Sequence, residues 1–147
     1  KSIKLIDNIF ALILAYPSFI LPLVIWLLVG FFSEVPRSVE ESSRIDGCSW
    51  FGSLFRIMIP LAAPGIGTTA VFALIGAWNE YIIASILTSS EKSQTIPVII
   101  SLQQTMWGTF WGKISALTLF MIIPIFLFSF FIQKYMARGL TAGAVKE

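Results

Sequence analysis

Long apolar stretches and short polar ones alternate along this chain. No charged residue falls between Asp7 and Glu34, between Arg56 and Glu80, or between Lys113 and Lys134. A hydrocarbon core ~30 Å thick takes about 20 apolar residues as a helix rising about 1.5 Å per residue. Each stretch is long enough, and the pattern predicts membrane spans at about 8–32, 63–87 and 114–132. Open strands would leave backbone groups unpaired in lipid, and a β-barrel would show short alternating segments. The expected class is therefore all-α, a polytopic transmembrane helical bundle. Pro17, Pro22 and Pro124 lie inside the first and third spans and should kink them, which a membrane helix tolerates when neighbours take up the freed carbonyls.

The connection at 33–60 reads as two short helices joined by a bend. Ser33 is placed to cap the first, Pro36 suits its first turn, and Glu40 and Glu41 follow in its early half. Gly47 supplies the left-handed residue that ends it. Ser49 then caps a second helix in which Trp50, Phe51, Leu54, Phe55 and Met58 recur at helical spacing, and Pro60 and Pro64 mark the return to the membrane. On periodicity alone this is an amphipathic pair lying on the bilayer surface.

Composition agrees with a membrane protein: 56% of residues are hydrophobic, above the 45–50% or so of soluble domains. Cys48 is alone and histidine is absent, which excludes a disulfide framework, a thiolate metal site and any imidazole-based triad, zinc site or haem ligation within the chain. Arg37, Arg44, Arg56, Lys134, Arg138 and Lys146 fall on one side of the expected spans, and Lys1, Lys4, Lys92 and Lys113 on the other. The bias favours a cytoplasmic 33–60 connection and tail. The chain starts at Lys1 without a signal-peptide pattern, and three helices rarely enclose a solute path. A longer polypeptide or a partner chain is expected.

The spacing within the connection carries a resemblance. Glu41-Ser42-Ser43, three residues, Gly47, nine residues, then Ile57-Met58-Ile59-Pro60 is similar to the cytoplasmic Glu-Ala-Ala signature of permease subunits in binding-protein-dependent ABC importers. It departs from that pattern in Ser42, Ser43 and Ile59, the two serines keeping the small volume. Arg44-Ile45-Asp46-Gly47, Gly76-Ala77-Trp78-Asn79-Glu80-Tyr81 and the tail from Arg138 to Lys146 resemble carbohydrate importers, of the six-span maltose-transporter type. The resemblance implies a type I importer permease fold, with residues 1–147 as the last three of about six spans of one transmembrane domain.

It also implies a coupling role. In that family the signature helix docks in a groove of a cytoplasmic ATPase, so Glu41, Ser42, Ser43 and Gly47 are the expected coupling residues, with Asp46 there or bracing the bend. The implied partners are an ABC ATPase dimer, a second permease subunit, an extracytoplasmic sugar-binding protein, a sugar or oligosaccharide and the lipid bilayer of a bacterial or archaeal inner membrane. No nucleic acid, metal or cofactor is expected. No Gly-rich phosphate loop ending in Lys and Ser or Thr occurs, so ATP hydrolysis is expected in the partner and no residue here is a catalytic candidate. A permease for a non-sugar solute and a membrane anchor that transports nothing are the alternatives.

Gly65, Thr69, Ala73 and Ala77 recur every four residues and predict a small-residue face for helix packing. Trp78, Asn79, Glu80 and Tyr81 are candidates for the substrate pathway. Counted from Ala63, Glu80 lies ~25 Å along a helix, towards the outer leaflet. Aromatic faces beside polar groups suit a sugar, and an interfacial aromatic belt with a snorkelling Glu fits equally well. The segment from Thr88 to Gly112 is expected outside, with Trp107 and Trp111 at the interface. The Gly- and Ala-rich tail is expected to be disordered unless it docks on the ATPases.

Overall fold

The computed structural model describes residues 6–143, with side chains through residue 130. Lys1, Lys4 and the last part of the tail, residues 144–147, lie outside the described residues. Helix α1 covers Ile9–Ser33 and runs through Pro17 and Pro22. Asn8 Oδ1 takes up an otherwise orphaned first-turn amide, that of Phe10, at 3.0 Å. Ser33 does not cap the following helix. It ends α1, and its hydroxyl donates to Gly30 O at 2.6 Å. The N-cap of α2, Arg37–Ile45, is Pro36, whose extended backbone (φ −61, ψ 132) turns the chain into the helix.

After a reversal at residues 46–49, helix α3 (Trp50–Ser53) passes through a π turn (Leu54–Met58) into α4 (Ile59–Leu61). At Ala62 the axis bends by 74° into α5, Ala63–Trp78. The short helices α6 (Ile82–Leu87) and α7 (Ile96–Ser101) follow. A hairpin then pairs β1, Gln104–Thr105, with β2, Gly108–Thr109, in antiparallel register. Helix α8, Trp111–Gly143, continues through Pro124 and carries the backbone of Arg138 and its neighbours, so the tail is helical as far as Gly143.

Among the described residues, Ile9–Ser33 and Trp111–Phe130 are each long and apolar enough to cross a membrane, and the bent pair Trp50–Leu61 and Ala63–Trp78 makes up to three if it counts as one span. The single helix expected over 63–87 is not formed. It stops at Trp78 and restarts at Ile82, because Glu80 takes the amides that would have continued it.

The chain divides into two compact units. The first comprises residues 1–21 and 74–128; its core holds Leu12, Ala84 and Val98, with Tyr16, Ile83 and Leu87 packed against them. The second comprises residues 22–73 and 129–147. There α5 meets α1 closely: a Cβ on Gly65 would run into the Phe31 ring, so only glycine allows this contact. One turn on, Thr69 is buried and its hydroxyl donates to Gly65 O at 2.9 Å. Large apolar side chains such as Phe19, Trp26 and Phe126 stay exposed along α1 and α8, as helices surrounded by lipid or other helices require.

Candidate functional site

The signature residues sit on α2 and the reversal that follows it. Gly47 adopts φ +82, a left-handed conformation that costs an L side chain roughly 1–2 kcal/mol. Around it the backbone closes in the paired pattern of a glycine-terminated helix: Cys48 N–H donates to Ser43 O at 3.0 Å and Gly47 N–H to Arg44 O at 3.1 Å. Ser49 Oγ then accepts from Gly52 N–H at 3.1 Å and starts α3. Arg44 lies over the Trp50 ring, 4.5 Å from its centroid, which ties the two sides of the reversal together.

The two signature serines face differently. Ser42 is exposed, as is Glu41, whereas Ser43 is 2% exposed. Ser43 Oγ lies 2.6 Å from Glu40 O and 2.6 Å from Ser53 Oγ. Its one proton goes to the carbonyl, which only accepts, so Ser53 donates to Ser43. Ser53, also buried, thereby joins α3 to α2. Asp46 is the C-cap of α2, exposed, with its N–H on Ser42 O at 3.0 Å. Ile45 (86% exposed), Trp50 and Phe51 leave an apolar rim around the turn.

In the other unit, Trp78 to Tyr81 form a helix break. Trp78 Nε1–H donates to Met121 O at 3.1 Å, which anchors the indole to α8. Asn79 is exposed and its Nδ2 donates to Ile75 O at 2.9 Å. Glu80 accepts Ile83 N–H on Oε1 at 2.7 Å and Ala84 N–H on Oε2 at 3.0 Å, satisfying two of the orphan donors of α6. Both carboxylate oxygens are thus engaged by backbone. Tyr81, the N-cap of α6, is 43% exposed. Of the four, Trp78 borders a cavity of about 340 Å³, with Tyr16, Leu74, Ala77, Gln94, Thr95, Ile96 and Pro97.

Two hydroxyls at this cavity are buried: Thr95 Oγ1 has no hydrogen-bond partner among the described residues, and Tyr16 Oη interacts with the Glu80 carboxylate. For Thr95 the cause is local. It is the N-cap of α7, yet Pro97 removes one of the amides an N-cap side chain would accept, and no cap bond forms.

The model of the binding-protein-dependent transport system inner membrane component matches residues 2–142. The chain belongs to that family. It is 38% identical to the trehalose/maltose transport system permease protein MalG of Thermococcus litoralis, over 92% of this chain and 49% of that protein. It is 36% identical to the sulfoquinovosyl glycerol transport system permease protein SmoH of Agrobacterium fabrum, over 99% of the chain and 51% of the relative. Identity to the diacetylchitobiose uptake system permease protein DasC of Streptomyces coelicolor is also 36%, over 99% and 53%. The chain spans about half the length of these relatives. As a member of this family it is a multi-pass inner-membrane protein with an all-α permease fold.

Sequence reasoning about this permease chain passed over Tyr16, Thr95, Ser53 and Asp7. Asp7 has φ +63, and its Oδ1 accepts Ser89 N–H at 2.9 Å, Ser90 N–H at 2.7 Å and the Ser93 hydroxyl. The Ser93 hydroxyl first, then the Ser90 and Ser89 amides, hold its carboxyl well below the usual carboxylate range. An acidic residue just before a helix and a serine-rich run beyond α6 were the available signals. Nothing in the sequence paired them.

Proposed function

We propose that this chain is the coupling part of a permease subunit in an ATP-driven, binding-protein-dependent sugar importer, the last three of about six spans. The observation that carries the reading is the reversal at Gly47, which presents Glu41, Ser42 and an apolar rim of Ile45, Trp50 and Phe51 on a helix pair. An exposed acid and exposed aromatics on one helix pair suit a partner that offers a basic residue and an apolar groove, as a cytoplasmic ATPase dimer would. ATP hydrolysis takes place in that partner. Asp46 braces the bend.

Sugar as substrate class is supported by the names of the trehalose/maltose, sulfoquinovosyl glycerol and diacetylchitobiose relatives. The cavity at Trp78 adds to this. It combines aromatic surface with the hydroxyls of Tyr16 and Thr95, the latter without a partner among the described residues, and a volume of about 340 Å³ lies within the ~300–1,000 Å³ of small-molecule sites. The solute path in this subunit is then led by Tyr16, Trp78 and Thr95, with Glu80 shaping it through α6 and Asn79 and Tyr81 at its edge. The hairpin tip, where Met106 and Trp107 are almost fully exposed, faces the extracytoplasmic binding protein, and a second permease subunit completes the path.

Glu41→Lys tests the reading. It should leave insertion intact and strip the ATPase from the purified complex, since removing one member of a desolvated charge pair costs ~2–5 kcal/mol. Copurification of the ATPase at the parental level would remove the docking role.

A further inference from the structure

We propose that Asp7 is a positioning residue that holds the outer wall of the Trp78 cavity in place. The carboxylate reaches across the chain to Ser89, Ser90 and Ser93, and the Asp7 N–H donates to Leu87 O at 2.8 Å. The residues that follow Ser93 are Gln94, Thr95, Ile96 and Pro97, all four of which border the cavity. Tyr16, which also borders the cavity, stands in the helix that begins just after Asp7. One carboxylate therefore fixes where the α6–α7 segment meets the start of α1. Its left-handed backbone suits Asp, Asn or Gly and little else, which separates the acceptor from the conformation experimentally.

The proposal concerns the cavity wall itself, and only its consequence for uptake rests on the sugar-importer reading. The test uses the assembled importer in lipid vesicles with Cys48→Ser and Ile96→Cys, labelled by a membrane-impermeant thiol reagent. Asp7→Gly keeps the backbone relaxed and removes the acceptor. It should raise the labelling rate at residue 96 about tenfold, the ratio carried by losing a hydrogen bond to a charged group. Asp7→Asn keeps an acceptor oxygen and should stay within about twofold of the parent, and Ser93→Ala, which removes one donor, should fall between. If Asp7→Gly does not assemble, Ser93→Ala against Asp7→Asn decides the same question. Equal labelling in all variants would overturn the clasp. In sugar uptake, Asp7→Gly should raise KM more than it lowers kcat. A labelling change with uptake kinetics untouched would leave the clasp standing and take the cavity off the solute path.

Discussion

Two places in this chain end one helix and start another within a few residues, and they do it by different means. At residues 45–49 the backbone itself makes the reversal: Gly47 in the left-handed region, two closing backbone hydrogen bonds, and a serine cap. At residues 78–82 side chains make the break, Glu80 on two amides of α6 and Trp78 on Met121 O. A reversal written in backbone conformation has few alternative states. A break held by side chains can be released when those side chains find other partners.

Gly47→Val should have the largest effect of the changes that probe this contrast. Beyond its two chain neighbours, no heavy atom lies within 4 Å of the position of a Cβ at Gly47, so the first carbon of a side chain meets open space and its cost at φ +82 is conformational. For a β-branched residue that cost is ~2 kcal/mol or more. ATPase copurification and the thermal midpoint of the complex should both fall, whereas Gly47→Asn, tolerated in that region, should retain most of each. Parental behaviour of the valine variant would show that the reversal is not rigid.

A smaller effect is expected at the other break. Glu80→Ala removes both acceptors at the start of α6, a loss of about 1 kcal/mol by analogy with helix caps. Hydrogen exchange at the Ile83 and Ala84 amides should accelerate about fivefold, with Glu80→Gln between parent and alanine because it keeps one acceptor oxygen. Unchanged exchange at both amides would mean that packing rather than Glu80 holds the break, and the contrast between the two regions would weaken.

The same contrast explains what could be read beforehand. Gly47, Ser49 and the end of α2 were legible because capping and termination involve residues only a few positions apart. The apolar stretches announced α1, the first part of α5 and α8 for the equally simple reason of length and charge. Ser33 misled because two helices compete for it, and its hydroxyl found a nearer acceptor in its own last turn. The break after Trp78 was hidden because a Glu in an apolar stretch announces a cost without naming the backbone groups that will meet it. Asp7 with Ser93 and Trp78 with Met121, separated by 86 and 43 residues, are pairings that only the fold creates. The border of the cavity was invisible for that reason.

The smallest effect concerns pH. Because Asp7 titrates below its ordinary value of 3.8 when the clasp is closed, its contribution is fully present above that value and is lost as the pH falls through the lowered one. The clasp should therefore stay closed across the whole range from about pH 5 to pH 8, where an unperturbed carboxylate at ~3.9 is already ionised. Amide exchange at Ser89 and Ser90, expressed as protection factors so that intrinsic chemistry divides out, should be flat over that range and drop only under strong acid. In Asp7→Asn the same two amides should show lower protection with no acid-dependent drop, since the amide does not titrate. A loss of protection between pH 7 and pH 5 in the parent would assign control of this segment to some other group, and the side-chain clasp would then be a consequence of the position of residues 89–93 rather than its cause.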